Sequence, residues 1–265
     1  REIGRYNNAI ETLKDATRIY REALDIVSWN DPTILCNLGN TLSELGVTYR
    51  ELEKFDDAKK ALKEAIESYR KALELTGWRD PVALNNLGTT QYLLGVILRS
   101  QNEYIDAEDA LKKAVDAYRK AVDLTEERSA VAWSNLGSAQ SLLGEVYMDL
   151  YMFKRALKLF RESLSSFDRA NSITGNRYYY PLFRICFVKI RICDALCMLG
   201  KCGLDDYWFT LEKIAEFHSR FRMSEYTSFL LYMLIESARK NGIRDRYIGL
   251  LIRRMIMLSL PLASF

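Results

Sequence analysis

The sequence has 265 residues, 49% hydrophobic and 28% charged, enough to bury a core of its own, which excludes a disordered tail and a small disulfide-stapled module. Four prolines and 13 glycines leave few breaks and favour long helices, while a single histidine argues against His-based catalysis or a His-built metal site. The net charge of +3 is unevenly placed: residues 176–265 hold 14 Lys+Arg against 8 Asp+Glu, and the first 175 hold 24 against 27. The longest uncharged run, 81–98, contains Asn85, Asn86 and Gln91, so no membrane span is expected. Five cysteines, four of them between Cys186 and Cys202 and one at Cys36, lack the even spacing of a secreted framework and point to a reducing, cytoplasmic setting.

In chain order, an amphipathic helix is predicted over 6–26. The triplet Asn-Leu-Gly then begins at Asn37, Asn86 and Asn135, two steps of 49 residues. The same step joins Tyr6, Phe55, Tyr104 and Phe153, and again Tyr20, Tyr69, Tyr118 and Phe167. Pro32 and Pro81 share one phase, each behind an aspartate, the pattern of an N-cap followed by proline in a first helical turn. Each unit reads as two helices, 81–101 and 104–124 in the second copy. Leu84, Leu87, Gly88, Leu94, Gly95 and Leu98 lie on one face of the first, and Ala107, Leu111, Ala114, Tyr118 and Ala121 on one face of its partner. Gly39/Gly88/Gly137 and Gly46/Gly95/Gly144 sit inside helices, where glycine costs about 1 kcal/mol relative to alanine, so their recurrence predicts close approach of a neighbouring helix. Charged residues of the second helices, such as Lys59, Lys60, Lys63, Glu64 and Glu67, read as a solvated face with helix-spaced ion pairs.

Past Gly175 the pattern decays, and helices are predicted over 181–200, 204–221, 224–240 and 244–259. They are expected to be degenerate hairpins that cover the final apolar face of the array. Cys186, Cys193 and Cys197 descend one helix at spacings unlike those of zinc-binding pairs, so they and Cys202 read as core packing, with a metal or redox role as the lesser alternative. His218, between Phe217 and Phe221, reads as structural or surface-exposed.

The order Leu143, Gly144, Tyr147, Phe153, Ala156, Phe160 and Ser163 resembles the tetratricopeptide repeat family, as do Leu94, Gly95, Leu98, Tyr104, Ala107, Leu111 and Ala114 one copy earlier. The usual tryptophan position holds Leu42, Gln91 and Gln140. The period exceeds the family's ~34 residues by fifteen, about four helical turns, which lengthens both helices and keeps their faces in phase. The long unit with Leu84-Asn85-Asn86-Leu87 is also similar, more weakly, to kinesin light chain repeats. The resemblance implies an all-α fold, a right-handed α-solenoid of stacked antiparallel helix pairs. Residues 1–175 would form the array, as a partial repeat 1–30 and repeats 31–79, 80–128 and 129–175, with 176–265 as divergent helical hairpins capping it.

The resemblance further implies a concave groove lined by the first helices. Its ligand-facing positions fall on Asn40, Ser43, Val47 and Arg50, on Thr89, Tyr92, Val96 and Arg99, and on Ser138, Ser141, Glu145 and Met148. Asn37, Asn86 and Asn135 lie two turns before a position where family members often hold a peptide backbone by asparagine, and amides there have both donor and acceptor for an extended peptide. Arg50 and Arg99 are suited to an acidic residue or a carboxylate. The alternative is that the three asparagines bond inside the hairpin and satisfy backbone near the helix starts. The family's carboxylate clamp is not reproduced at its usual positions. No phosphate loop, paired-carboxylate signature or nucleophile elbow is present, so no enzyme activity and no cofactor are expected. The expected function is a protein-interaction scaffold with a protein or peptide ligand. Nucleic acid is the weaker partner, through Arg244, Arg246, Arg253 and Arg254 with Tyr247. A regulatory or sensor arm of a larger ATPase or transcription factor is a third reading. The first helix and the apolar tail over 255–265 also permit a homo-oligomer.

Overall fold

The computed structural model describes residues 2–258. Among them the elements are α1 (Glu2–Ile26), α2 (Pro32–Glu51), α3 (Phe55–Leu75), α4 (Pro81–Ser100), α5 (Tyr104–Leu124), α6 (Ala130–Asp149), α7 (Phe153–Ile173), α8 (Tyr179–Met198), α9 (Leu204–Phe221), α10 (Ser224–Lys240) and α11 (Asp245–Met257). The protein is all-α. The first helices α2, α4, α6 and α8 begin 49 residues apart, as do the second helices α3, α5 and α7. None of the described helices is long and apolar enough to cross a membrane. The apolar tail read from the sequence lies from residue 259 onward outside the described residues. Two compact units divide the chain, Arg1–Leu143 and Gly144–Phe265.

In the N-terminal unit the caps and turns repeat with the helices. Asp31 Oδ1 accepts from the Thr33 and Ile34 amides at 2.8 and 3.0 Å, and Asp80 Oδ1 from those of Val82 and Ala83 at 2.8 and 3.1 Å. Each aspartate satisfies amide donors that a helix start leaves open, and the proline behind it needs none. Between the helices of a hairpin a single left-handed residue recurs at Glu53 (φ 58) and Asn102 (φ 61). Between hairpins two left-handed residues recur in tandem, at Ser28 and Trp29, Gly77 and Trp78, and Glu126 and Glu127. The left-handed region is costly for a residue with a Cβ, so Glu126→Gly, matching Gly77 one copy earlier, should raise stability by about 1 kcal/mol in thermal denaturation. An unchanged or lower melting temperature would show that this turn is not strained.

Glycine lets the two helices of each hairpin close on one another. A Cβ at Gly39 would lie 2.9 Å from the Tyr69 ring, and one at Gly88 2.9 Å from the Tyr118 ring. Toward the other end of the hairpin, Gly46 faces Leu62 and Gly95 faces Leu111, at 2.7 and 2.6 Å. The core running through the unit includes Leu35, Leu38, Tyr69, Leu84, Leu87, Tyr118 and Leu136. Lys71 lies over the Trp29 ring at 4.6 Å, and Lys120 over Trp78 at 4.9 Å, the same cation–π contact one copy apart. The charged second-helix residues are not all solvated singly: Arg21 reaches Glu64 on the next second helix at 2.5 Å, and Lys59 reaches Glu103 at 3.0 Å.

In the C-terminal unit α9 and α10 occupy the predicted spans, while α8 starts and ends two residues earlier than predicted. Phe160, Phe167, Tyr207, Phe217 and Leu230 are fully buried. A polar network joins three helices: Asp194, 8% exposed on α8, accepts from Arg191 Nη1 at 2.6 Å, from Ser237 Oγ at 2.5 Å and from Asn241 Nδ2 at 2.8 Å. Arg191 also donates through Nε and Nη2 to the two carboxylate oxygens of Glu145, at 2.5 and 3.1 Å. His218 Nδ1 meets the buried Thr227 hydroxyl at 3.2 Å and ties α9 to α10. The reading of all four clustered cysteines as core is corrected here. Cys186 and Cys193 are buried, with thiols pushed by that burial up to about 12. Cys197 and Cys202 form a disulfide instead. The helix stops at Met198 and Gly200 (φ 67) turns the chain back, which brings the two Cα atoms to 4.5 Å. Among the described residues, no group of three or more His, Cys, Asp or Glu side chains is placed to hold a metal ion.

Candidate partner-binding face

The sequence-predicted residues sit on the first helices of the N-terminal unit, where a row of side-chain hydrogen bonds crosses from one first helix to the next. Asn86 Nδ2 on α4 donates to Asn40 Oδ1 on α2 at 3.1 Å, and that oxygen also accepts from the Tyr69 hydroxyl at 2.5 Å. Thr90 Oγ1 meets Ser43 Oγ at 3.2 Å. One step on, Asn135 Nδ2 on α6 donates to Asn85 Oδ1 on α4 at 2.9 Å. The Tyr118 hydroxyl donates to Thr89 Oγ1 at 3.0 Å, the counterpart of the Tyr69–Asn40 bond.

Asn86 and Asn135 occupy one phase of the repeat and yet choose different partners, for a steric reason. Asn86 faces a long amide at Asn40, whereas the residue one copy after Asn40 is Thr89, whose hydroxyl is shorter. Asn135 therefore reaches one turn back to Asn85, and the residue one copy before Asn85 is Cys36, a poor acceptor. Burial, with the Asp80 carboxylate as a smaller cause, pushes the Cys36 thiol up to about 11, and burial likewise raises the Tyr69 phenol. Both groups stay protonated at neutral pH, which keeps the Tyr69 hydroxyl a donor to Asn40.

The other predicted residues are placed as follows. Asn37 is half-buried on α2, and its backbone oxygen accepts from the Thr41 hydroxyl at 2.9 Å. Arg50, in the last turn of α2, pairs with Glu51 at 2.6 Å. Thr89 also bonds back to the Asn85 carbonyl at 2.9 Å. Tyr92 and Arg99 are half-buried on α4, each engaged within the protein. Ser138 is buried and donates to the Ser134 carbonyl at 2.9 Å. The structure thus joins Asn40, Asn86 and Thr89, through Tyr69, Tyr118 and Thr90, into the seams between helices, and the cross-helix bonds replace the backbone capping that the sequence left open for Asn86 and Asn135. Asn85, Tyr69 and Tyr118 were missed as members of this face. Their signal was the constant offset of 29 residues from Asn40 to Tyr69 and from Thr89 to Tyr118.

Chemically, each cross-helix bond commits one N–H of Asn86 or Asn135 and leaves the amide oxygen and the second N–H for other partners. The side chains are held in place before any ligand arrives. Such a face suits hydrogen-bonded recognition of a polypeptide backbone.

Comparison with known proteins agrees with a repeated helical unit. Residues 34–77 and 87–124 match the tetratricopeptide repeat family model. No curated protein matched the chain. Among solved structures, BtubC (BKLC) from P. vanneervenii is similar in fold, with a TM-score of 0.61, 15% identity, and coverage of 96% of this chain and 91% of that one. A thermophilic TPR protein of Thermus thermophilus scores 0.44 at 17% identity, covering 83% of this chain and 91% of its own. A putative kinesin light chain of Podosopora anserina with nearly identical TPR-like repeats scores 0.44 at 14% identity, covering 83% and 93%. The matched segments coincide with the two hairpins in which caps, glycines and turns recur at one 49-residue step, so residues 34–124 are similar to a pair of tetratricopeptide repeats.

Proposed function

We propose that the chain is a non-catalytic scaffold that holds a peptide or a partner protein in a concave groove along its first helices. The observation that carries this reading is the hydrogen-bonded row on α2, α4 and α6. Side chains fixed in advance lower the ordering cost of binding, so modest contacts add up to useful affinity. An extended segment lying across the row would meet the amides of Asn86 and Asn135 with its peptide groups, whatever its own side chains are. Arg50 and Arg99, near the ends of their helices, would select an acidic residue or a carboxylate. Asn37, Asn40, Thr89 and Tyr92 complete the proposed surface, and Ser138, buried on α6, lies beneath it.

The test is a pull-down from the native cell with the wild-type chain and with Asn86→Ala combined with Arg99→Ala. The variant should lose at least tenfold in partner capture. Its helical content should be unchanged, because the lost Asn86–Asn40 bond is worth only about 1 kcal/mol and Asn40 keeps Tyr69. Equal capture by the folded variant would remove this face from consideration.

A further inference from the structure

Grooves open on the opposite side of the N-terminal unit, between successive second helices, each floored by a first helix. One lies between α1 and α3 over α2 and has a volume of about 430 Å³, and the next lies between α3 and α5 over α4 and has about 470 Å³. They are one construction a repeat apart, since Leu45 and Tyr49 in the first floor correspond to Leu94 and Leu98 in the second. A single floor position changes character: Leu42 in the first is Gln91 in the second. Gln91 is 4% exposed, and its Oε1 has no hydrogen-bond partner. Leucine at the same place in the previous copy shows that the packing itself does not require an amide. An unpaired buried acceptor weakens a fold until a donor reaches it.

The walls of this second groove differ in sign. Lys59, Lys63 and Arg70 line it from α3, with Glu103 at the N-cap of α5 and Asp106 and Asp109 on that helix opposite them. Lys59 and Glu103 bridge the two walls at one end. Arg70 pairs along its own helix with Glu67 at 3.7 Å, and Asp109 with Lys113 at 2.6 Å. Lys63 and Asp106 are exposed and have no ion pair among the described residues. The sequence alone gave this face to solvent, because the opposed walls belong to helices 49 residues apart.

We propose that the groove between α3 and α5 docks an amphipathic α-helix of a partner protein, apolar along the edge that enters and carrying carboxylates on one flank and lysine or arginine on the other. Apolar side chains of that edge would pack on Ile66, Leu94 and Leu98, and one side-chain N–H or O–H would reach Gln91 Oε1. Acidic residues would meet Lys63, and basic residues would meet Asp106. A uniformly acidic or uniformly basic helix meets one wall of its own sign and is disfavoured. Turning a mixed helix end for end exchanges its flanks, so the groove selects mixed charge and not direction. This site is separate from the first-helix face, and its variants leave Asn86 and Arg99 in place.

Three fluorescein-labelled synthetic helices test it, sharing one leucine stripe with a central asparagine. Their flanks are glutamate and lysine, all glutamate, or all lysine. Anisotropy titrations with the full chain at low salt should show the mixed helix binding at least tenfold more tightly than either other probe. Asp106→Lys should transfer the preference to the all-glutamate helix, and Lys63→Glu to the all-lysine helix. Gln91→Leu should weaken the mixed probe at least fivefold while the melting temperature holds or rises. Equal binding of the three probes, preferences unmoved by both charge variants, or a fall in melting temperature for Gln91→Leu would each overturn the proposal. Self-association of the chain that Asp106→Lys abolishes would assign the groove to a second copy and overturn it too.

Discussion

Alanine at Asp194 should cost the C-terminal unit about 3 kcal/mol, the lower end of the range for removing one partner of a buried ion pair. Asp194 is 8% exposed and accepts three hydrogen bonds, one from each of Arg191, Ser237 and Asn241. Removing its carboxylate takes the shortest partner from the Ser237 hydroxyl, which keeps Tyr207 at 3.4 Å, leaves the Asn241 amide only its bonds to the Ser237 carbonyl, the Ser237 hydroxyl and Tyr207, and leaves one guanidinium edge without its acceptor. Arg191 keeps its two bonds to Glu145, which holds the loss to the lower end. Urea unfolding with hydrogen exchange at the amides of α8 and α10 reads the effect where it arises. A loss below about 1 kcal/mol would mean that the network contributes little, and the C-terminal unit would then rest on its aromatic core alone.

The second large effect is expected at Gly95. Helix propensity alone predicts that Gly95→Ala stabilises the protein by about 1 kcal/mol. The new Cβ would lie 2.6 Å from Leu111 Cγ and 2.8 Å from its Cδ2, too close without a shift of the hairpin or of the leucine. Leu111 is fully buried, so a shift must be taken up by the surrounding core. Overpacking of this kind costs about 1–3 kcal/mol, so the net result is a loss. The double variant with Leu111→Ala isolates the clash: introducing alanine at position 95 should cost much less in that background than in the wild type. If Gly95→Ala raises the melting temperature, the glycine is not there for close packing.

The fold was legible because four copies carry one register, and a pattern that holds at Tyr20, Tyr69, Tyr118 and Phe167 averages out local ambiguity. The helix from Tyr104 to Leu124 was read to the residue for that reason. The glycine reading also follows from recurrence, since a residue unfavourable in a helix is repeated only where a neighbour occupies the missing side chain's place. The hydrogen-bond register of the first-helix face was not legible. Whether Asn86 or Asn135 finds its partner directly across or one turn back depends on the length of residues 40 and 89 and on whether an amide stands one turn back, as at Asn85. The disulfide escaped for a different reason. Extending the helix to residue 200 left Cys202 just past its end and apart from the row that ends at Cys197, whereas an end at Met198 lets the turn at Gly200 fold Cys202 back upon Cys197. The groove between α3 and α5 is formed by residues about 40 positions apart and becomes apparent only when the second helices are seen side by side.

The central claim, that partners are held on the first-helix face, is tested most directly by site-specific photo-cross-linking in the native cell. A photoreactive residue is placed at Val47 or Tyr92 on the first helices, and at Glu74 or Asp123, exposed near the ends of α3 and α5. The account predicts covalent partner adducts from Val47 and Tyr92, with none of the same partner from Glu74 and Asp123. Adducts of that partner from the second-helix positions alone, with none from Val47 and Tyr92, would contradict it.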